Sequence, residues 1–283
     1  MKVGDTIEVG IERLVPGGAG LGHADGMTVF VGLAAPGDRL RARIDRVKGK
    51  VAFASVVEVF SAGPARVEPP CPYFGRCGGC DFQQLNYEAQ LAAKVEIIRD
   101  CLRRIARLDP PAEISVTPSP NVWHYRSRAR WQHDAVRQHF GYYELASHRV
   151  CDVAECPVVV PEIGRVLEGL RAELRAGTLP DEVVEFQAVA GDDGVSLSPP
   201  AGSAEPGERV RTIAGERYRF DATCFFQINH ALLESLVREA VKDASGESAL
   251  DLYSGVGLLT LPLARRFERL TAVEGNRAAC GYA

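Results

Sequence analysis

Three of the eight cysteines in this 283-residue chain, Cys71, Cys77 and Cys80, share one ten-residue stretch. The spacing C-x5-C-x2-C gathers three thiols that, once deprotonated, are soft ligands for an iron–sulfur cluster or for zinc. Gly78-Gly79 lets the backbone wrap closely round a bulky group and aim amide N–H groups at sulfur. A fourth ligand must come from elsewhere, and Cys151 and Cys156 are the candidates. Cys156 is the better one because Pro157 follows it, and a Cys-Pro step flanks cluster ligands in ferredoxins. Structural zinc would use the same four sulfurs, but its usual signature has two C-x2-C pairs and this chain has one. Iron–sulfur is the leading expectation, with zinc and unligated buried thiols as the alternatives.

The second constellation is Asp251-Leu252-Tyr253-Ser254-Gly255-Val256-Gly257, followed 19 residues after Gly255 by Glu274. Glycines let a loop approach a ligand closely, and an acid about 20 residues on hydrogen-bonds ribose hydroxyls in nucleotide-binding α/β folds. The third glycine of the dinucleotide fingerprint is replaced by Thr260. That favours S-adenosylmethionine, which has adenosine and ribose but no phosphate, over a nicotinamide dinucleotide. The bland alternative is that Gly255 and Gly257 simply make a tight turn.

The third constellation is basic. Residues 39 to 50 hold six Lys or Arg and one Asp, a local balance of +5 in a chain of net charge −4. In Arg39-Leu40-Arg41-Ala42-Arg43-Ile44 a period of two puts the arginines on one face and the apolar residues on the other. Trp123 to Trp131 interleaves aromatic rings with Arg126, Arg128 and Arg130, a mixture suited to stacking on bases while holding phosphates. Either run also reads as an ordinary strand with a solvated outer face.

These residues need a scaffold, and the length implies about two domains with room for a third small module, at roughly 150 residues per domain. Composition, 46% hydrophobic and 25% charged, is that of a globular protein. No apolar run approaches the roughly 18 residues of a membrane helix, and the first ten residues lack a signal-peptide core, so a cytoplasmic protein is expected. Cysteines this dilute suit a reducing compartment. Short runs at Thr6–Val9, 27–31, 40–47 and 51–60, broken at Pro16–Gly20, predict a small barrel with a boundary near residue 60. Leu91, Val95, Ile98, Leu102 and Ile105 predict an amphipathic helix over 87–108 whose stripe packs in the core, with Cys101 buried beside it. Residues 191–207 read as a loop or hairpin tip. Asn229 is expected to cap a helix running to about Lys242. Strand 249–252, loop, helix 258–267 and strand 270–274 then open an α/β fold.

Taken together, the chain resembles the iron–sulfur-containing, S-adenosylmethionine-dependent RNA uridine-C5 methyltransferases. The resemblance implies a multidomain α+β and α/β protein. Residues 1–60 would be an OB-like TRAM β-barrel, 61–215 a central iron–sulfur and RNA-binding domain, and 216–283 the start of a doubly wound, Rossmann-like methyltransferase domain. It makes Cys71, Cys77, Cys80 and Cys156 the ligands of a structural [4Fe-4S] cluster. Phe225-Phe226-Gln227-Ile228-Asn229 looks like the family's donor-contacting segment, with Gln227 on the methyl donor. Tyr253, Gly255 and Gly257 match its donor loop, and Glu274 its ribose-binding acid. Arg39, Arg41, Arg43, Arg126, Arg128 and Arg130 become RNA contacts, with rRNA or tRNA as partner, no membrane, and a monomer. Leu258 departs from members that carry Asn there.

The family's thiolate nucleophile, in a Cys-Asn-Pro context, and its base have no counterpart before Ala283, so no catalytic residue is assigned. Cys224 precedes the fold's first strand and Cys280 reads as core. A fragment of a longer enzyme, inactive alone, is the expectation. The alternative is a non-catalytic iron–sulfur RNA-binding protein.

Overall fold

A computed structural model describes residues 1–202 and 206–283. Residues 203–205, inside the loop expected over 191–207, lie outside the described residues. The chain divides into two compact units, Met1–Pro118 and Ser119–Ala283.

In the first unit β1 (Thr6–Leu14), β2 (Gly20–Ala24), β3 (Met27–Gly32), β4 (Arg39–Lys48) and β5 (Val51–Ser61) close into a barrel in the order β1-β2-β3-β5-β4. Leu40, Ala42 and Ile44 of β4 face the core with Val9, Ile11, Val29 and Val31, while Arg39, Arg41 and Arg43 alternate outward. Strand β2 was hidden by its glycines, which read as punctuation. A side chain at Gly20 would meet Ile11 and Ala34 at 2.8 and 2.9 Å, and one at Gly22 would meet the Gly10 carbonyl at 2.3 Å. Closing a small barrel forces that approach, so glycine here belongs to a strand rather than a turn.

The mouth of the barrel is pinned by a buried ion. Asp38 is fully buried and accepts from the amides of Ala35 (2.7 Å) and Gly63 (2.9 Å) and from Arg66 Nη2 (2.7 Å). Burial pushes the Asp38 carboxyl up, but Arg66 and these amides outweigh it and hold it below its ordinary 3.8.

Helix α1 (Tyr87–Cys101) starts where Asn86 accepts from the Ala89 amide at 2.9 Å. It loosens into a π-turn over Leu102–Ala106 and stops at Arg107, whose φ is +56°. The expected core stripe is corrected: none of Leu91, Val95, Ile98, Leu102 and Ile105 is buried, and Ile98 and Ile105 are 47% and 78% exposed. The packing face is the small-residue one. Ala89 and Ala93, one turn apart, sit against Leu14, Ala35 and Leu85. Cys101 is half-buried rather than buried.

The second unit opens with β6 (Arg128–Asp134), β7 (His139–Tyr143), β8 (Val150–Asp152), α2 (Pro161–Ala176), β9 (Glu185–Ala190) and β10 (Val195–Ser198). The strands form an antiparallel sheet in the order β10-β9-β6-β7-β8. Trp131, Phe140 and Phe186 fill its core, and α2 covers it with Ile163, Leu167, Leu170 and Leu174. Hairpin β11 (Arg209–Ile213) and β12 (Glu216–Phe220) turns at Ala214-Gly215, both at positive φ, the two-residue turn whose twist suits a hairpin.

A 3-10 turn over His230–Leu232 then leads into α3 (Leu233–Val241). Asn229 does not cap this helix; its side chain donates to Ser119 Oγ at 3.0 Å instead. Parallel strands β13 (Gly246–Leu252) and β14 (Phe267–Val273) flank α4 (Thr260–Ala264), shorter than the expected 258–267, and α5 (Arg277–Cys280) follows. No helix among the described residues is long and apolar enough to cross a membrane.

Replacing Asp38 with Ala leaves Arg66 without its buried partner and should cost about 3–5 kcal/mol in urea unfolding. Because the Asp38 pKa is depressed on folding, the wild-type protein carries this contribution above 3.8 and loses it as pH falls through the lower folded value, a dependence absent from Asp38→Ala.

Candidate functional site

Parallel pairing of β13 with β14 sets Leu252 opposite Val273, so the residues just beyond each strand emerge side by side. Tyr253, Gly255 and Gly257 all take left-handed φ, +59°, +56° and +88°, which bends the chain sharply away from the sheet. Glu274 receives that bend. Its Oε2 accepts from the Gly255 amide at 2.8 Å and its Oε1 from the Asn276 amide at 2.7 Å. The Asn276 and Gly255 amides hold the Glu274 carboxyl below its ordinary value, so it is ionised at neutral pH. Thr260 donates from Oγ1 to Asp251 at 2.6 Å, tying α4 back onto β13.

Opposite the loop runs an irregular segment, residues 222–228. Phe226 and Cys224 plug the core, Phe226 stacking on Phe220 with ring centroids 4.4 Å apart. In extended backbone neighbours point opposite ways, and Phe225 and Gln227 line a cavity of about 260 Å³ together with Tyr253 and Gly255, walled by Leu236 and Leu258. Tyr253 is 92% exposed, its ring free to cover a ligand. Of the five expected donor residues, Gln227, Tyr253 and Gly255 line this cavity. Gly257 and Glu274 shape the turn behind it, the Gly257 amide donating to the Ser254 carbonyl at 2.9 Å. Sequence reasoning missed Leu236 and Ala240, whose one-turn spacing on α3 reads as core but lines the cavity.

Two cysteines near the site take different places. Cys224 is fully buried, and burial followed by Asp221 raises its thiol pKa, so it is a neutral thiol. Cys280 is corrected: it is exposed on α5, because Ala279 is the residue that turns into the core.

Cys71, Cys77 and Cys80 share a tight loop of the first unit. The Phe74 amide bonds to the Cys71 carbonyl (3.1 Å) and the Cys77 amide to the Tyr73 carbonyl (2.8 Å). A Cβ on Gly79 would lie 3.4 Å from Cys77 Sγ, in ordinary contact with that sulfur. All three are half-buried, and no cysteine is in a disulfide. This donor set suits a thiophilic metal centre, although no three His, Cys, Asp or Glu side chains among the described residues are grouped closely enough to hold an ion. Cys156 lies in the second unit, half-buried, with the Tyr142 hydroxyl 4.0 Å from its Sγ.

The arginines divide. Arg39 and Arg43 are exposed on β4, Arg41 pairs with Glu58 (2.9 Å) and lies over Phe60, and Arg46 lies 4.0 Å over the Phe53 ring. Arg130 is exposed but paired with Glu185 at 2.6 Å. Arg126 is half-buried, and its backbone bridges to Val159 and Asn229. Arg128 turns inward, donating to the Cys224 and Ala222 carbonyls and to Gln187. Trp131 is fully buried, so the strand reading, not base stacking, holds for its ring. His124 and His133 bond carbonyls, of Val159 and Val183.

A closed barrel joined in one chain to a strand–loop–helix–strand nucleotide turn defines a TRAM-bearing methyltransferase fold. The TRAM domain family matches residues 1–57. In fold the chain is similar to the crystal structure of the Pyrococcus abyssi tRNA (uracil-54, C5)-methyltransferase with S-adenosyl-L-homocysteine, with a TM-score of 0.71 and 23% identity over 97% of this chain and 74% of that one. An uncharacterised RNA methyltransferase of Thermosynechococcus vestitus is 31% identical, covering 98% of this chain and 74% of its own length. The 23S rRNA (uracil(1939)-C(5))-methyltransferase RlmD of Vibrio parahaemolyticus is 30% identical, covering 94% and 69%. The chain belongs to the RNA uracil-C5 methyltransferase family.

Glu274→Ala removes the acceptor of two amides. Hydrogen-exchange protection of Gly255 and Asn276 should fall in that variant and stay unchanged at β13. In the wild type the same protection is full above 4.5, the ordinary value, and is lost as pH drops through the lower folded value.

Proposed function

We propose that this chain supplies the donor-holding and RNA-holding parts of methyl transfer from S-adenosylmethionine to C5 of a uridine in rRNA or tRNA. The observation that carries this reading is the cavity shared by Gln227, on the irregular segment, and Tyr253 and Gly255, on the strand–loop–helix turn. The Gln227 amide has donors and an acceptor for the polar end of the donor, and the Tyr253 ring offers a flat apolar face to adenine. Each Glu274 oxygen accepts one amide and retains a lone pair for a ribose hydroxyl. Gly255 and Gly257 let the backbone come close, and Leu236 and Leu258 keep water from the apolar side.

RNA is held through phosphate contacts from Arg39, Arg41 and Arg43 on the barrel and Arg126 and Arg130 on the second unit, which position a strand without reading its sequence. Functionally the chain divides into the barrel over 1–60, a central part over 61–215 and the donor-binding part over 216–283. Cys71, Cys77 and Cys80, with Cys156, are the proposed ligands of a [4Fe-4S] cluster. When bound, the cluster would cross-link segments rather than carry electrons, since polar methyl transfer needs none. A cytoplasmic monomer away from membranes suits reduced cysteines and an RNA substrate.

Calorimetry with S-adenosylhomocysteine should give one site per chain, weakened about tenfold or more by Gln227→Ala, the worth of a buried polar contact. No binding by the wild-type chain would sink the donor reading. Cys77→Ala should purify anaerobically without brown colour and with lowered solubility. A colourless, iron-free wild type that folds equally well would remove the cluster.

A further inference from the structure

Arg128, expected to contact RNA, turns its guanidinium toward the protein interior, and its partners explain why. Residues 222–228 belong to no helix or strand, so their carbonyls have no ladder to join. Two consecutive residues where β6, the middle strand of the sheet, begins take several of them up. The Ser127 amide and hydroxyl donate to the Ile228 carbonyl at 2.7 and 3.0 Å, and Arg126 bridges to Asn229. Arg128 Nη1 donates to the Cys224 carbonyl, and Nη2 donates to the Ala222 carbonyl at 3.0 Å and to Gln187 Oε1 at 2.7 Å. Gln187 lies on β9, so the guanidinium is anchored on the sheet and reaches two carbonyls of the segment with its other donors. The Ser196 hydroxyl on β10 meets the Ala222 amide at 3.1 Å and fixes the same end.

This grip decides which way the segment faces. Cys224 and Phe226 are held in the core, Phe226 also forming part of the cavity wall, and the alternation leaves Phe225 and Gln227 on the cavity side. A one-residue slip would exchange the two sets. We propose that Arg128 is a positioning residue of the methyl-donor site: through the 222 and 224 carbonyls it sets the rotation of the segment that carries Gln227. The proposal rests on the donor reading of the cavity. Lysine cannot substitute, because a single ammonium lacks the planar fork that reaches two carbonyls and an amide at fixed angles. The sheet thereby becomes part of the donor site without touching the donor, and Arg128 contributes nothing to RNA affinity.

The test uses the full chain, S-adenosylhomocysteine as probe and a transcribed RNA hairpin titrated at several salt concentrations. Arg128→Lys should weaken S-adenosylhomocysteine about tenfold and leave the salt slope of RNA binding unchanged. Arg43→Ala should do the reverse, lowering the slope by about one and sparing the donor. In a Gln227→Ala background Arg128→Lys should add little, because its effect runs through Gln227. If Arg128→Lys melts out, Ser127→Ala, which keeps the backbone bond, should still weaken the donor a few-fold. Unchanged donor affinity in the folded Arg128→Lys variant, or in Ser127→Ala where Arg128→Lys does not fold, overturns the inference, as does full additivity with Gln227→Ala or a slope reduced by about one. A wild-type chain that binds no S-adenosylhomocysteine overturns the donor reading and this inference with it.

Discussion

A buried carbonyl without a donor costs about as much as a lost hydrogen bond, and irregular backbone accumulates such carbonyls fastest. The second unit is organised round that constraint. Residues 222–228 stay irregular, with Phe225 exposed and Cys224 and Phe226 buried, and Ser127 and Arg128 of the neighbouring sheet supply donors to their carbonyls. Packing then follows from the grip. With Phe226 seated on Phe220, the hairpin, α3, Val256 of the loop and Ala279 of α5 share one core.

The first unit meets a related demand by another route. A five-stranded barrel has little interior, so its strands approach until only glycine fits at 20 and 22, and Asp38 is fixed by two backbone amides and one guanidinium. Its outer surface is left to charge. Arg41 and Arg46 lie over aromatic rings and Arg41 and Arg43 beside carboxylates, which orders these cations without neutralising the strip as a whole.

Period-two alternation is read reliably from sequence when one face is apolar, and Arg39 to Ile44 lies in the barrel as its pattern implies. The strand–loop–helix–strand turn and the acid that closes it were equally legible, since glycine spacing and strand length fix where Glu274 emerges. What escaped were features set by tertiary approach. Glycines in β2 mark a close contact rather than a break. The leucine and isoleucine stripe of α1 gives way to its alanines, which pack against Leu14, Ala35 and Leu85 beside Phe82. Arg128 has the spacing of an outward residue, yet carbonyls over ninety positions along the chain pull it inward. No local pattern encodes a partner that distant.

The charge around the loop has a further consequence. Residues 251–260 contain no lysine or arginine, and the turn is bounded by the carboxyl groups of Asp251 and Glu274. Adenosine ligands carrying phosphate, ATP above all, meet repulsion there and no compensating cation, whereas a ligand with a positive sulfur meets attraction. A cleft so lined is biased by the sign of charge as well as by shape.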